Sequence, residues 1–126
     1  MTDTPPDEAP QIRVIAMPAD ANPAGDISGG WLMAHMDQAG ATIAFRTARG
    51  RVATVAVEAM KFHLPVRVGD EVSLYGKLLG IGRTSIRVHV EAWRRDRGFE
   101  EAARVTEATF TFVALDEAGK PRAVAR

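Results

Sequence analysis

Only one stretch of this chain repeats with the period of a helix, and that single helix has a whole sheet to cover. Within Gly29–Arg46 (GGWLMAHMDQAGATIAFR), Leu32, Met36, Ala39 and Ile43 recur at i, i+4, i+7 and i+11 on one face. Ser28 stands where an N-cap belongs. After Gly50 the period shortens. Arg51–Phe62 is long and β-branched; a turn at Pro65 and Gly69-Asp70 leads into Val72–Leu79, which Gly80-Ile81-Gly82 closes. Thr84–Arg94 alternates, with Ile86, Val88 and Val90 on one side and Arg87, His89 and Glu91 on the other. Asp96-Arg97-Gly98 turns the chain into a last strand, Arg104–Leu115, followed by the turn Asp116–Lys120 and a short tail. Ahead of the helix, Gln11–Met17 reads as a short strand and Pro18–Ser28 as a loop. Consecutive hairpins imply an antiparallel five-stranded sheet with the helix on one face, an α+β layout.

Composition narrows the function classes. With 126 residues, 46% hydrophobic and 25% charged, the chain has room for one globular domain, spanning 11–126. Residues 1–10 (MTDTPPDEAP) are acidic and proline-rich and are expected to be a disordered lead-in; they lack the basic and apolar regions of a signal peptide. No stretch approaches the roughly 18 apolar residues of a membrane span. Having no cysteine, the chain cannot form a disulfide scaffold, a thiolate metal site or a thiol nucleophile, and a cytoplasmic location is expected. Basic and acidic residues balance at 16 each, leaving no bulk positive field for nucleic acid. His35, His63 and His89 show no metal-ligand spacing, so no metal is expected.

The helix carries the most informative residues. Asp37 lies at its middle, where an aspartate competes for backbone groups and where burial is costly unless the carboxylate is paired. A partly buried carboxylate suits general-base work; a solvent-facing margin position is the plain alternative. Gly29 and Gly30 open the helix, where free backbone N–H groups can hold an oxyanion and a ligand can approach closely; tight packing on the sheet explains them equally well. The segment GDISGGW matches neither a dinucleotide fingerprint nor a phosphate-binding loop. Asn22 and Asp26 lie in the loop feeding the helix, where turn chemistry also favours them. Ser28 and His35 are seven positions apart, about 10 Å along a helix, too far for a nucleophile and its base. Arg83-Thr84-Ser85, after a Gly-Ile-Gly turn, combines a guanidinium with hydroxyls suited to an anion.

Taken together, MPADANPAGDISGGWLMAHMDQAGA, RVATVAVEAMKFHLPVRVGDEV, GRTSIRVHVEAW and the ending TEATFTFVALDEAGKPR resemble the YciA-type acyl-CoA thioesterases of the hotdog-fold superfamily, from about Ile12 to Arg122. The resemblance implies a long helix wrapped by a curved antiparallel sheet, two sheets joined edge to edge in a dimer, and further assembly into a trimer of dimers. It implies hydrolysis of acyl-CoA to a free acid and coenzyme A, with no metal or organic cofactor. On that likeness Asp37 is the catalytic carboxylate and the Gly29 N–H the oxyanion donor. Asp26, with Asn22 beside it, joins the site from the opposite protomer, and Thr54 positions water. Gly82, Arg83, Thr84 and Ser85, together with Lys120 and Arg122, resemble surfaces that contact the CoA nucleotide. The chain departs from the common GDIFGGW pattern by having Ser28, which bears on the shape of the acyl pocket.

Three alternatives remain at this stage. A hydratase or dehydratase on acyl thioesters needs a histidine near the helix start, which this loop lacks. A non-catalytic acyl-CoA sensor would not need Asp37. A purely oligomerising hotdog domain would leave the cost of Asp37 unexplained.

Overall fold

The computed structural model describes residues 4–98 and 101–124. The first three residues of the expected lead-in and the last two of the tail lie outside them. Among the described residues the order is β1 (Ile12–Ile15), a 3₁₀ turn (Pro18–Asp20), α1 (Gly29–Ala48), β2 (Val52–Phe62), β3 (Glu71–Ile81), β4 (Ser85–Arg95) and β5 (Ala102–Ala114). Residues 4–10 form neither helix nor strand.

α1 starts where the sequence places it. The Ser28 hydroxyl accepts from the Trp31 N–H at 3.2 Å, an N-cap bond to an otherwise unpaired donor. The helix runs two residues past Arg46 and stops at Arg49, which adopts a left-handed conformation (φ 57°) and returns its N–H to the Phe45 carbonyl. Leu32, Met36 and Ala39 are buried as the periodicity predicts, and Gly40, Ala44 and Ala48 complete the stripe. The apolar character that runs almost round the helix does not make it buried all round. Met33 and Phe45 are 39% and 53% exposed, because the single chain has only one sheet face to offer.

The sheet is antiparallel, in the order β1-β3-β4-β5-β2. β3, β4 and β5 are successive hairpin neighbours. β2 and β3 are not: residues 63–70 carry the chain across the end of the sheet, so among the described residues β2 pairs with β5 alone, at the far edge. The His63 N–H bonds the Val105 carbonyl at 2.7 Å at one end of this crossing, and the Ala16 N–H bonds the Asp70 carbonyl at 3.0 Å at the other. The inner faces of β3, β4 and β5 supply the core: Val72, Leu74, Ile86, Val88, Val90, Phe110 and Phe112 are fully buried. The alternation expected in β4 holds, with Ile86, Val88 and Val90 inward.

β2 departs from the simple two-face strand that its sequence suggests. The register slips between Thr54 and Ala56 and again between Glu58 and Lys61, and Ala59 sits at φ 55°. Each bulge adds an unpaired residue and changes which side chains face inward. Val52, Thr54 and Val57 therefore oppose the buried Ala114, Phe112 and Phe110, and Ala56 falls on the other face with Thr111. The edge has no proline and its one lysine, Lys61, stands near its end; the bulges bend the rest of it.

The crossing segment buries one carboxylate. Asp70 is 5% exposed and accepts the Arg67 N–H at 2.8 Å. Burial, reinforced by Asp96, raises its pKa, against the pull of the Arg67 N–H and Arg94. A raised folded-state pKa makes ionised Asp70 a cost, fully present above that pKa and absent below the unfolded value. Asp70→Asn keeps an acceptor for Arg67. It should therefore be more stable than wild type at neutral pH, with the advantage shrinking as pH falls through the raised pKa. Denaturant melts across pH read this, and an advantage constant with pH contradicts it.

Candidate functional site

Asp37 and Thr54 are brought together by the close seating of α1 on the sheet. The inward parity set up ahead of the first bulge points Thr54 at the helix, and its hydroxyl donates to Asp37 Oδ1. Asp37 is half-buried, at the margin between the sheet-facing stripe and the exposed face that holds Met33, Ala34 and Gln38. A half-buried carboxylate with one oxygen held by a hydroxyl is oriented, and its second oxygen remains available to a proton.

Gly29 is the first helical residue. A Cβ there would lie 3.0 Å from Phe62 Cζ and 3.3 Å from Cε1, so the glycine is what lets the phenyl ring rest against the start of the helix. The sequence alone does not reveal this contact: Phe62 reads only as the end of a strand. Ile27, Leu32, Leu64 and Val66 join Gly29 and Phe62 around a cavity of about 330 Å³. Gly30, by contrast, meets no tight packing; a Cβ there would find only Ser28 Oγ at 3.8 Å.

Asn22 and Asp26 lie together in the loop before the helix. Asn22 Oδ1 accepts the N–H groups of Ala24 and Asp26, each at 3.0 Å, and the Asn22 N–H bonds the Asp26 carbonyl at 2.8 Å. The Asn22 carbonyl oxygen is thus committed to shaping the loop, and the Asp26 side chain is exposed. His35 Nδ1 is 2.9 Å from the Trp31 carbonyl and its ring packs against Trp31, well away from any pairing with Ser28.

The remaining predicted residues gather beyond the other end of α1. Gly82 and Ser85 close the β3–β4 turn through a 2.8 Å backbone bond, and the tail crosses it, with the Val124 N–H on the Arg83 carbonyl at 2.8 Å. The Thr84 carbonyl takes the Ala114 N–H, and Lys120 is exposed. Arg122 is occupied as an anchor. Its guanidinium donates to the carbonyls of Leu115 (3.0 Å), Ala123 (3.3 Å) and, at the C-terminal end of α1, Ala48 (2.8 Å). A cation over the last helical carbonyls is well placed electrostatically.

A family profile, the Thioesterase superfamily, matches residues 24–101, more than half of the chain. The chain belongs to the thioesterase superfamily. It is 47% identical to the acyl-CoA thioester hydrolase YciA of Escherichia coli K12 over 116 residues, covering 90% of this chain and 88% of the relative. It is 52% identical to an uncharacterized acyl-CoA thioester hydrolase of Zymomonas mobilis over 112 residues, covering 89% and 75%. Among solved structures, the hexameric thioesterase y2039 of Yersinia pestis superposes with a TM-score of 0.90 at 46% identity over 96% of this chain and 98% of the other. HI0827, described as a hexameric broad-specificity acyl-coenzyme A thioesterase, was solved as an aspartate-to-alanine mutant. It superposes at 0.88 with 47% identity over 94% of this chain and 87% of the other. The hotdog fold, one long helix against a five-stranded antiparallel sheet, is therefore the fold of this family member.

The bonds of Arg122 give it a structural role that binding alone would not. Arg122→Ala should lower stability by about 2 kcal/mol, the scale of lost hydrogen bonds from a charged group. Arg122→Lys should not restore it, because an ammonium cannot reach three separated carbonyls as a guanidinium fork does. Equilibrium unfolding of both variants measures this, and wild-type stability in Arg122→Ala would refute the anchoring role.

Proposed function

We propose that this protein hydrolyses acyl-CoA thioesters to a free acid and coenzyme A. The observation that carries the reading is the Asp37 carboxylate, held at mid-helix by the Thr54 hydroxyl beside an open face of α1. Membership of a superfamily whose similar members are acyl-CoA thioester hydrolases supplies the substrate class.

In this scheme Asp37 acts as general base. Water is held by the free carboxylate oxygen and loses its proton to Asp37 as its oxygen bonds to the thioester carbon. The carbonyl oxygen becomes an oxyanion and is met by the Gly29 N–H. The tetrahedral intermediate collapses, the carbon–sulfur bond breaks, and the CoA thiolate takes the proton back from Asp37. Base and donor suffice for this chemistry, so no cofactor is part of the scheme. We assign the protein to the cytoplasm, as the compartment in which it would meet CoA thioesters.

Gly29 and Asp37 are eight residues apart on one helix, about 12 Å along its axis. One thioester cannot span both. The scheme therefore pairs Gly29 of one protomer with Asp37 of the other, and places Asp26 on the Gly29 side. β2, the edge strand that carries Thr54, is the seam across which two copies join: among the described residues it pairs with β5 alone, and Val55 is 58% exposed. A homo-oligomer, a dimer at least and a hexamer by likeness to the solved relatives, follows from this placement. At the β3–β4 turn the exposed Arg83, with the half-buried Gly82, Thr84 and Ser85, is assigned to the CoA nucleotide together with the exposed Lys120. Arg122 supports that surface from beneath.

Asp37→Ala should leave the protein folded and assembled while lowering kcat by about 10²–10⁴-fold, the contribution of a general base. Thiol release from a panel of acyl-CoAs, with light scattering on the same samples, measures both. A variant with wild-type kcat removes Asp37 from the chemistry.

A further inference from the structure

The cavity beside Gly29 has a chemistry of its own. Its lining is aliphatic apart from one phenyl ring and one imidazole, and at about 330 Å³ it is large enough for a small ligand. His63, the titratable side chain on this lining, has its Nε2 3.5 Å from Glu107 Oε2, on the β5 side. We propose that Phe62 sets the acyl-chain length that the enzyme accepts, as the wall of this cavity that can yield. The proposal rests on the acyl-CoA hydrolysis put forward above.

Three observations carry it. First, a thioester whose carbonyl oxygen meets the Gly29 N–H has its acyl carbons starting next to Gly29, and this cavity is the apolar space that Gly29 itself borders. Second, a Cβ on Gly29 would lie 3.0 Å from Phe62 Cζ, so the ring packs directly at the glycine, and both residues line the cavity. In the single chain Phe62 is 51% exposed, outside the buried core, at the end of the bulged strand that the proposed dimer pairs, so resizing the ring leaves the core of each protomer in place. Third, Ser28 is not part of the lining, because its hydroxyl is bound to the Trp31 N–H. No second large side chain at that position shares the work, which leaves Phe62 as the one phenyl ring at the cavity.

The test is the profile of kcat/KM across acetyl-, butyryl-, hexanoyl-, octanoyl-, decanoyl- and palmitoyl-CoA for wild type, Phe62→Leu, Phe62→Ala and Phe62→Trp. The optimum should move to longer chains in Phe62→Leu and Phe62→Ala and to shorter chains in Phe62→Trp. The ratio of long-chain to short-chain kcat/KM should change by about tenfold or more in each direction, the scale set by a methylene or two in an apolar pocket. Opposite shifts from opposite size changes cannot come from loss of folding, and the leucine and tryptophan variants carry the test if alanine fails to fold. Profiles parallel to wild type in both of these variants overturn the proposal while leaving acyl-CoA hydrolysis in place. A folded wild type that hydrolyses none of the series overturns the functional reading itself, and the proposal with it.

Discussion

One helix has to seal a five-stranded sheet, and it can do so only by lying very close to it. Two glycines make the approach. A Cβ on Gly40 would sit 3.1 Å from Phe112 and 3.2 Å from Val90, both fully buried, and one on Gly76 would sit 2.5 Å from the tip of Ile43. Glycine inside a helix costs roughly 1 kcal/mol relative to alanine. Here the cost is offset by interdigitation with the core, since overpacking a tight interior is costlier still. The same closeness brings the Thr54 hydroxyl, on the edge strand, to the carboxylate of Asp37. The candidate chemistry is thus a consequence of how the core is packed.

α1 also sets out the candidate residues along a line. At its N-terminal end are Asn22, Asp26, Gly29 and the Phe62 cavity; at its middle is Asp37 with Thr54; beyond its C-terminal end are Arg122, the β3–β4 turn and the crossing tail. The ends lie about 12 Å and 16 Å from Asp37 along the axis. In the proposed scheme this spacing makes a single protomer an incomplete site, because the oxyanion donor and base of one chain are too far apart to share a carbonyl.

Much of this was legible in the sequence, for reasons that are local. The Ser28 cap, the buried stripe of α1 and the inward Ile86, Val88 and Val90 follow from patterns spanning a few residues. What stayed hidden depends on residues far apart. Nothing within Phe62–Asp70 says whether the chain turns back beside β2 or crosses to the other edge; that is settled by the pairing of β2 with β5, some fifty positions later. The bulges at Val55 and Ala59 leave no mark in VATVAVEA, a stretch without glycine or proline, yet they decide which residues join Thr54 on the inner face. Arg122 looks like a surface cation until the carbonyls of Ala48 and Leu115 are placed around it. Helix position singled out Asp37 and Gly29, the resemblance assigns them to one thioester, and given that assignment their separation along the helix argues for sharing between copies.

That sharing is the central claim, and subunit complementation tests it most directly. Asp26→Ala and Asp37→Ala chains, each first checked for loss of activity alone, would be denatured together and refolded at equal concentration, with tagged chains used to demonstrate mixed dimers. A mixed dimer holds one site with the intact Asp37 of the first chain and the intact Asp26 of the second. Random pairing should therefore restore roughly a quarter of wild-type acyl-CoA hydrolysis, one site in each of the half that are mixed. Mixed dimers that form and remain inactive would contradict a site built from two protomers.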